Sequence, residues 1–384
     1  MKPETRTVHG QESFLLANRN VELAVTRTAG HMAPVRFAAD TKSPIEPYYI
    51  SPWQDEQLGH VDPPVLTTLR GDFFCMPFGG ENRYRQEDHT THGEPATGLW
   101  TGREVRTVGD VTTLTMDMKT KQRPGRITKR ISIVEGQNVL YLQHELTGYR
   151  GKMCLGHHAT LDVPQQPGSM RISTSPFGLG MTRPGQLTNP GDGEYQSFAL
   201  GQQFKSLKKV PLLWKDPPTA DLTALPAREG FTDLLAVYKT PGPNPAWMTA
   251  VVASRGYLWF SLKDPDILPA TVFWISNKGR HAAPWSGRNR CLGLEDVCAY
   301  FADGLTNSAK KNIINEHGFD TTLTLSPKSP THINYIQGVV KVPKSFQAVR
   351  TVTFRAGTLT FRDHAGNEVK TTVNYEFLKT GTLD

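Results

Sequence analysis

VTTLTMDMKTKQRPGRITKRISIVEGQNVLYLQHELTG, residues 111–148, decides the fold. Three runs inside it, VTTLTMDM (111–118), RITKRISIV (126–134) and VLYLQHELTG (139–148), alternate or nearly alternate apolar and polar side chains. Successive side chains of a strand point to opposite faces, so a period of two predicts β-strands and not helices.

The pattern continues outward in both directions. VELAVTRT (21–28), MAPVRFAAD (32–40), WMTAVVAS (247–254), YLWFSLK (257–263) and TVFWISN (271–277) read the same way. The end of the chain, residues 348–377, reads as strands joined by turns, with AGN at 365–367 as a hairpin signal. A helical period appears only around LTNSAKKNIINEH, residues 305–317. The 34 glycines and 28 prolines are scattered, as suits many short strands joined by turns. At least a dozen strand candidates predict an all-β class, a large antiparallel β-sandwich with few short helices. No internal repeat of fixed period supports a propeller. Pro-rich stretches at 40–64 and 211–230 read as long surface loops. The strand pattern resumes after the second in the same style, so residues 1–384 read as one sandwich domain.

An apolar share of 38% is enough for a sizeable core. The formal net charge of +7 is modest over 384 residues and favours anionic partners slightly. No long basic run, zinc-finger spacing or RNP-type aromatic motif accompanies it, which speaks against nucleic acid. Lys205, Lys208 and Lys209 read as a solvated loop face. Cys75, Cys154, Cys291 and Cys298 form no CxxC pair and read as buried free thiols. MKPETRTVHGQESF at the start has no apolar segment of a signal peptide, and no run approaches the ~18 apolar residues of a membrane span. A cytoplasmic location with no membrane contact is the expectation. Walker-A, GxGxxG and GxSxG patterns are missing, which disfavours nucleotide kinases, Rossmann dehydrogenases and α/β-hydrolases.

Three polar residues stand out in apolar surroundings. His92 opens HGEPATGLW (92–100), His158 opens HATLDV (158–163), and Glu295 ends CLGLE (291–295). Two imidazoles and a carboxylate suit general acid–base work on a sugar ring. His157 and His158 are adjacent, so on a strand only one can face a given pocket. Burial at a strand end would raise the pKa of Glu295. Arg70, in LRGDFFCMPFGG (69–80), could offer paired donors to sugar hydroxyls or phosphate. His89 and His92, near Glu87 and Asp88, have ligand-type side chains but no matched second pair, so no metal site is expected.

Taken in order, these segments resemble the galactose mutarotase-like superfamily, which holds the aldose 1-epimerases and hexose-6-phosphate mutarotases. LANRNVELAVTRTAGHMAPVRF (16–37) looks like the family's opening. LRGDFFCMPFGG, HGEPATGLW, HATLDV, TVFWISN and CLGLED (291–296) are similar to its later segments. The resemblance is clearest over residues 15–340. It departs at Thr160-Leu161, where the family has an aromatic pair, at Glu94-Pro95-Ala96, where the phosphosugar branch has Phe-Ala-Arg, and at Trp274-Ile275-Ser276-Asn277, where the family has Trp-Asn-Pro.

The resemblance implies a mutarotase acting on the anomeric centre of an aldose or aldose phosphate, with Glu295 as base and His158 as acid. It implies substrate contacts from Arg70, His92 and Asp233 of FTDLLAVY (231–238), and no cofactor. Trp100 and Trp274 could stack on the sugar. The alternatives are a non-catalytic sugar-binding protein and a polysaccharide-processing enzyme on the same sandwich.

Overall fold

Each alternating run of 111–148 forms a strand, Val111–Thr120, Gly125–Val134 and Val139–Thr147, and the three pair in antiparallel register. The computed structural model describes residues 1–56, 58–59 and 61–383. These three strands join a nine-stranded sheet that also contains Tyr257–Lys263 and Thr331–Lys341 near its centre. A second sheet of eight strands is built around Phe231–Tyr238, Ala270–Asn277 and Arg290–Cys298, with Leu155–His157, Phe74–Cys75 and Ala159–Asp162 at one end.

The two sheets pack against each other. Leu140 and Leu142 face the core between them, while Val139 and Tyr141 point the other way into a second apolar cluster. That second cluster is closed by a C-terminal three-stranded sheet, Val349–Arg355, Thr358–Asp363 and Glu368–Thr372. Phe361 packs on Phe260 at 5.3 Å, and Phe377 packs on Tyr141 at 5.3 Å between ring centres. Burial on both faces explains why the central strands are more apolar than strict alternation requires. The AGN turn is as expected: Asp363 Oδ1 accepts from the backbone of Ala365 and Asn367, both at 2.9 Å.

The space between the sheets also holds charge. Lys263 Nζ lies 2.6 Å from Asp296 Oδ1, and both side chains are buried. Ser261, Thr271 and Tyr335 donate to the same carboxylate at 2.7, 2.6 and 2.8 Å. Buried charge is tolerable only when paired and hydrogen-bonded in this way. All four cysteines are buried and unpaired, and the three lysines at 205, 208 and 209 are exposed. Among the described residues, no helix is long and apolar enough to cross a membrane.

Three expectations need correction. The helical segment at 305–317 is two short helices, Gly304–Ala309 and Ile313–Glu316. Asn312 interrupts it, because its side chain caps the second helix by accepting from Ile314 and Asn315. The stretch 40–64 is not simply a surface loop: it buries Ile45, Tyr48, Tyr49 and Trp53, and Trp259 Nε1 donates to the Tyr48 hydroxyl at 3.3 Å. Positions 57 and 60 of that stretch lie outside the described residues. The stretch 211–230 carries short strands, and Ala224–Leu225 forms an edge of the nine-stranded sheet.

Candidate functional site

The face of the eight-stranded sheet turned away from its partner carries a cavity of about 270 Å³. Strand alternation decides what it receives. Asp296 and His157 face the nine-stranded sheet, where His157 stacks on Tyr335 at 4.2 Å and sits 2.9 Å from Asp72. Their neighbours Glu295 and His158 therefore face the cavity, and both line it with His92. Trp274 and Leu234, paired across adjacent strands, line it as well.

His158 Nε2 lies 3.1 Å from Glu295 Oε1. The angle does not make a hydrogen bond, so this oxygen is buried with no donor. His158 Nδ1 meets the Thr160 hydroxyl at 3.1 Å, which leaves Nε2 as the nitrogen aimed at the carboxylate. Thr160 thus has a polar task at a position where the resemblance expects an aromatic ring. The His158 ring stacks on Phe73 at 4.4 Å and meets Trp274 edge-on at 5.8 Å. Gly293 is required two residues before Glu295. A Cβ there would collide with the Glu295 carboxylate and crowd the Cβ of Trp274.

Burial pushes Glu295 well above the usual carboxylate range. Burial, aided by the neighbouring His92, holds His158 well below the ordinary imidazole value. Burial also takes His92 down to about 3. His92 meets the His158 ring edge-on at 4.8 Å, and its Nδ1 accepts from the Gly79 amide at 3.3 Å. Its backbone is left-handed, with φ 61°, an uncommon conformation for a side chain other than glycine. Strain of this kind persists where surrounding structure over-determines it.

Two of the expected contacts do not reach the cavity. Arg70 is buried under the N-terminal strands, where its guanidinium donates to the carbonyls of Val8 and His9 at 3.0 and 2.8 Å and to Gln54. It ties the chain start to the sheet, and its donors are spent there. Asp233 alternates with Leu234 and so leaves the cavity side. Its carboxylate accepts from the Ser197 amide and hydroxyl at 2.6 and 2.5 Å and from the Phe198 amide at 2.9 Å. Trp100 is buried away from the cavity, with Nε1 donating to Pro95 O at 3.0 Å. Glu94 is likewise structural, accepting from the Lys121 and Gln122 amides.

Other residues reach the site instead. Trp285 and Arg280 come from the loop 278–289, and Leu66 and Leu69 from the segment after the 40–64 stretch. Trp285 stands edge-on to Trp274 at 5.8 Å and to Trp53 at 4.8 Å. His89 turns from the site to Glu87 Oε2 at 2.8 Å. Among the described residues, no group of three or more His, Cys, Asp or Glu side chains is placed to hold a metal ion.

A long strand-rich sandwich of this kind is an architecture seen in solved structures. The chain has the fold of the galactose mutarotase-like proteins. It superposes on a candidate aldose 1-epimerase from Klebsiella pneumoniae with TM-score 0.59 at 12% identity, covering 87% of this chain and 80% of that one. It superposes on a candidate mutarotase from Salmonella typhimurium with TM-score 0.58 at 10% identity, covering 88% and 94%. A galactose mutarotase-like protein from Clostridium acetobutylicum matches with TM-score 0.57 at 9% identity, covering 89% and 99%. No protein-family model matches the sequence, and no curated protein matches it.

Proposed function

We propose that the protein is an aldose 1-epimerase-like enzyme that interconverts the anomers of a monosaccharide. The observation that carries this is the 3.1 Å approach of His158 Nε2 to Glu295 Oε1 at a cavity edged by Trp274 and Trp285. The fold shared with mutarotase-like proteins supports it. At about 270 Å³ the cavity is just below the ~300–1,000 Å³ usual for ligand pockets, which suits one sugar ring better than a polysaccharide.

Ring opening needs a base for the anomeric hydroxyl proton and an acid for the ring oxygen. Glu295 takes the proton from O1, the C1–O5 bond breaks with its electron pair moving to O5, and His158 delivers a proton there. C1 then turns about C1–C2, and reversal of the two transfers closes the ring on the other face. The pair needs one transferable proton in total. Burial holds that proton on Glu295 at rest, because it raises Glu295 and lowers His158, so the proton crosses the 3.1 Å approach to His158 before Glu295 acts as the base. His92 bounds the same cavity and holds His158 edge-on, and the indole of Trp274 offers an apolar wall to a sugar's C–H face. No redox group is needed.

The test is saturation-transfer NMR on the wild-type protein with a panel of aldoses, reading anomer exchange and binding together. Exchange accelerated at least ~100-fold over buffer supports the enzyme reading. Binding without acceleration makes the protein a sugar-binding module.

A further inference from the structure

Glu295, His158 and His92 form the polar end of this cavity. Glu295 Oε1 is buried with no donor, and His158 Nε2 lies 3.1 Å from it, so this end meets the anomeric carbon and the ring oxygen. Away from it the described lining offers a sugar few hydrogen-bond partners. Arg280 is paired with the buried carboxylate of Glu194 at 2.9 Å. The carbonyls of Leu66, Leu69 and Gly80 already accept from Trp53 Nε1, the Ser51 amide and Asn82 Nδ2, at 2.8, 3.2 and 2.9 Å. The Thr91 hydroxyl and the indoles of Trp274 and Trp285 are the polar side-chain groups that remain.

Chain alternation makes the rest apolar. Arg70 and Asp233 are bonded away from the cavity, and in each case an adjacent leucine faces it: Leu69 beside Arg70, Leu234 beside Asp233. Leu66 and Leu187 add further aliphatic surface. Leu234 pairs with Trp274 on the next strand, and Trp274 pairs with Gly293 on the strand that carries Glu295. Leu234 is thus two strands from the carboxylate, about 10 Å at the ~4.8 Å spacing of strands in a sheet. A pyranose with C1 at Glu295 and its ring oxygen at His158 therefore sets the C4–C5 side against leucine. A hydroxyl buried there without a partner is disfavoured, whereas a methyl gains from burial.

We infer that the ligand of this cavity is a 6-deoxyaldose, a monosaccharide with a methyl group at C5 in place of the hydroxymethyl, and that Leu69 and Leu234 select it. This rests on the reading of the cavity as a sugar site. The two leucines stand where polar neighbours would have held hydroxyls, and they exchange that capacity for contact with the methyl. Trp274, between Leu234 and Gly293, carries the ring face.

The test uses matched pairs, D-galactose with 6-deoxy-D-galactose and L-mannose with L-rhamnose, and 2-deoxy-D-galactose as a control for position. Binding and anomer exchange are read together by saturation-transfer NMR titration of the wild type, Leu234→Asn and Leu234→Met. The expected result is at least ~10-fold tighter binding of the 6-deoxy member of one or both pairs by the wild type. Leu234→Asn, close in size to leucine but polar, should erase that preference, and Leu234→Met should keep it. Equal binding within both pairs, tighter binding of the hydroxylated members, or a stronger preference for the 2-deoxy sugar overturns the assignment, and the wild type alone decides this if a variant fails to fold. A preference that survives in a folded Leu234→Asn also overturns it. A 6-deoxy preference with no anomer exchange would sink the enzyme reading alone. Exchange of both members of each pair at equal rates and affinities would sink this inference alone.

Discussion

Gly293 and Glu295 share one face of the strand Arg290–Cys298, and the Glu295 carboxylate fills the space that a side chain at Gly293 would need. The glycine therefore sets the position of the carboxylate. Gly293→Ala should overpack the site at a cost of about 1–3 kcal/mol. It should also displace Glu295 enough to slow anomer exchange by roughly 100-fold. Chemical denaturation and polarimetry on the same preparation check both.

Glu295 and Asp296 are consecutive carboxylates with opposite chemistry. Burial raises Glu295, so the unfolded chain ionises it from about pH 4.5 while the folded chain does not. Its contribution to stability is lost as pH rises through that window toward the raised folded value. Glu295→Gln removes this linkage, and the variant should gain on the wild type between pH 5 and 8. Burial opposes ionisation of Asp296, but Lys263 and the Thr271 and Ser261 hydroxyls outweigh it and hold the carboxyl below its usual range. Asp296→Asn leaves Lys263 unpaired and should cost about 3–5 kcal/mol. Urea titrations of the two variants across pH separate the cases.

Arg70 is a structural tie. Arg70→Met strands the carbonyls of Val8 and His9 and should lower stability by at least ~2 kcal/mol. KM for any sugar turned over should not move. A raised KM at unchanged stability would return Arg70 to the binding site.

His31, His92, His144 and His158 are buried, and desolvation lowers all four below the ordinary imidazole value of 6.5. The unfolded state then binds protons that the native state refuses. Stability from each group is complete above pH 6.5 and is lost as pH falls toward the folded value, about 3 for His92. Each should therefore lower stability as pH falls below 6.5. His144 lies outside the site, stacked on Phe74 at 3.9 Å with neither ring nitrogen hydrogen-bonded. His144→Phe should therefore lose less stability than wild type between pH 7 and pH 5, read by denaturation at the two pH values.

Much of the fold was legible because period-two patterning is a direct consequence of strand geometry, as at 111–148 and 348–372. His92, His158 and Glu295 were legible as polar residues in apolar segments, and the structure brings all three to one cavity. Arg70 and Asp233 were misplaced because parity within a strand cannot be read until its register and its covered face are known. Asp233 is one residue from Leu234, which does line the cavity. Arg280 and Trp285 come from a loop with no period, held by Glu194 nearly ninety positions away. Tyr48 and Trp53 were taken for surface because prolines surround them, although their rings are buried.

The central claim is that His158 and Glu295 share one working proton. The measurement is the polarimetric rate of anomer exchange against pH for wild type, Glu295→Gln and His158→Asn. The wild type should be flat through neutrality, falling at low pH as His158 gains a second proton for the pair and at high pH as Glu295 releases the only one. Each variant should lose ~10²–10⁴-fold while still binding sugar. A wild type that binds sugar without accelerating exchange, or variants that keep the full rate, would contradict the account.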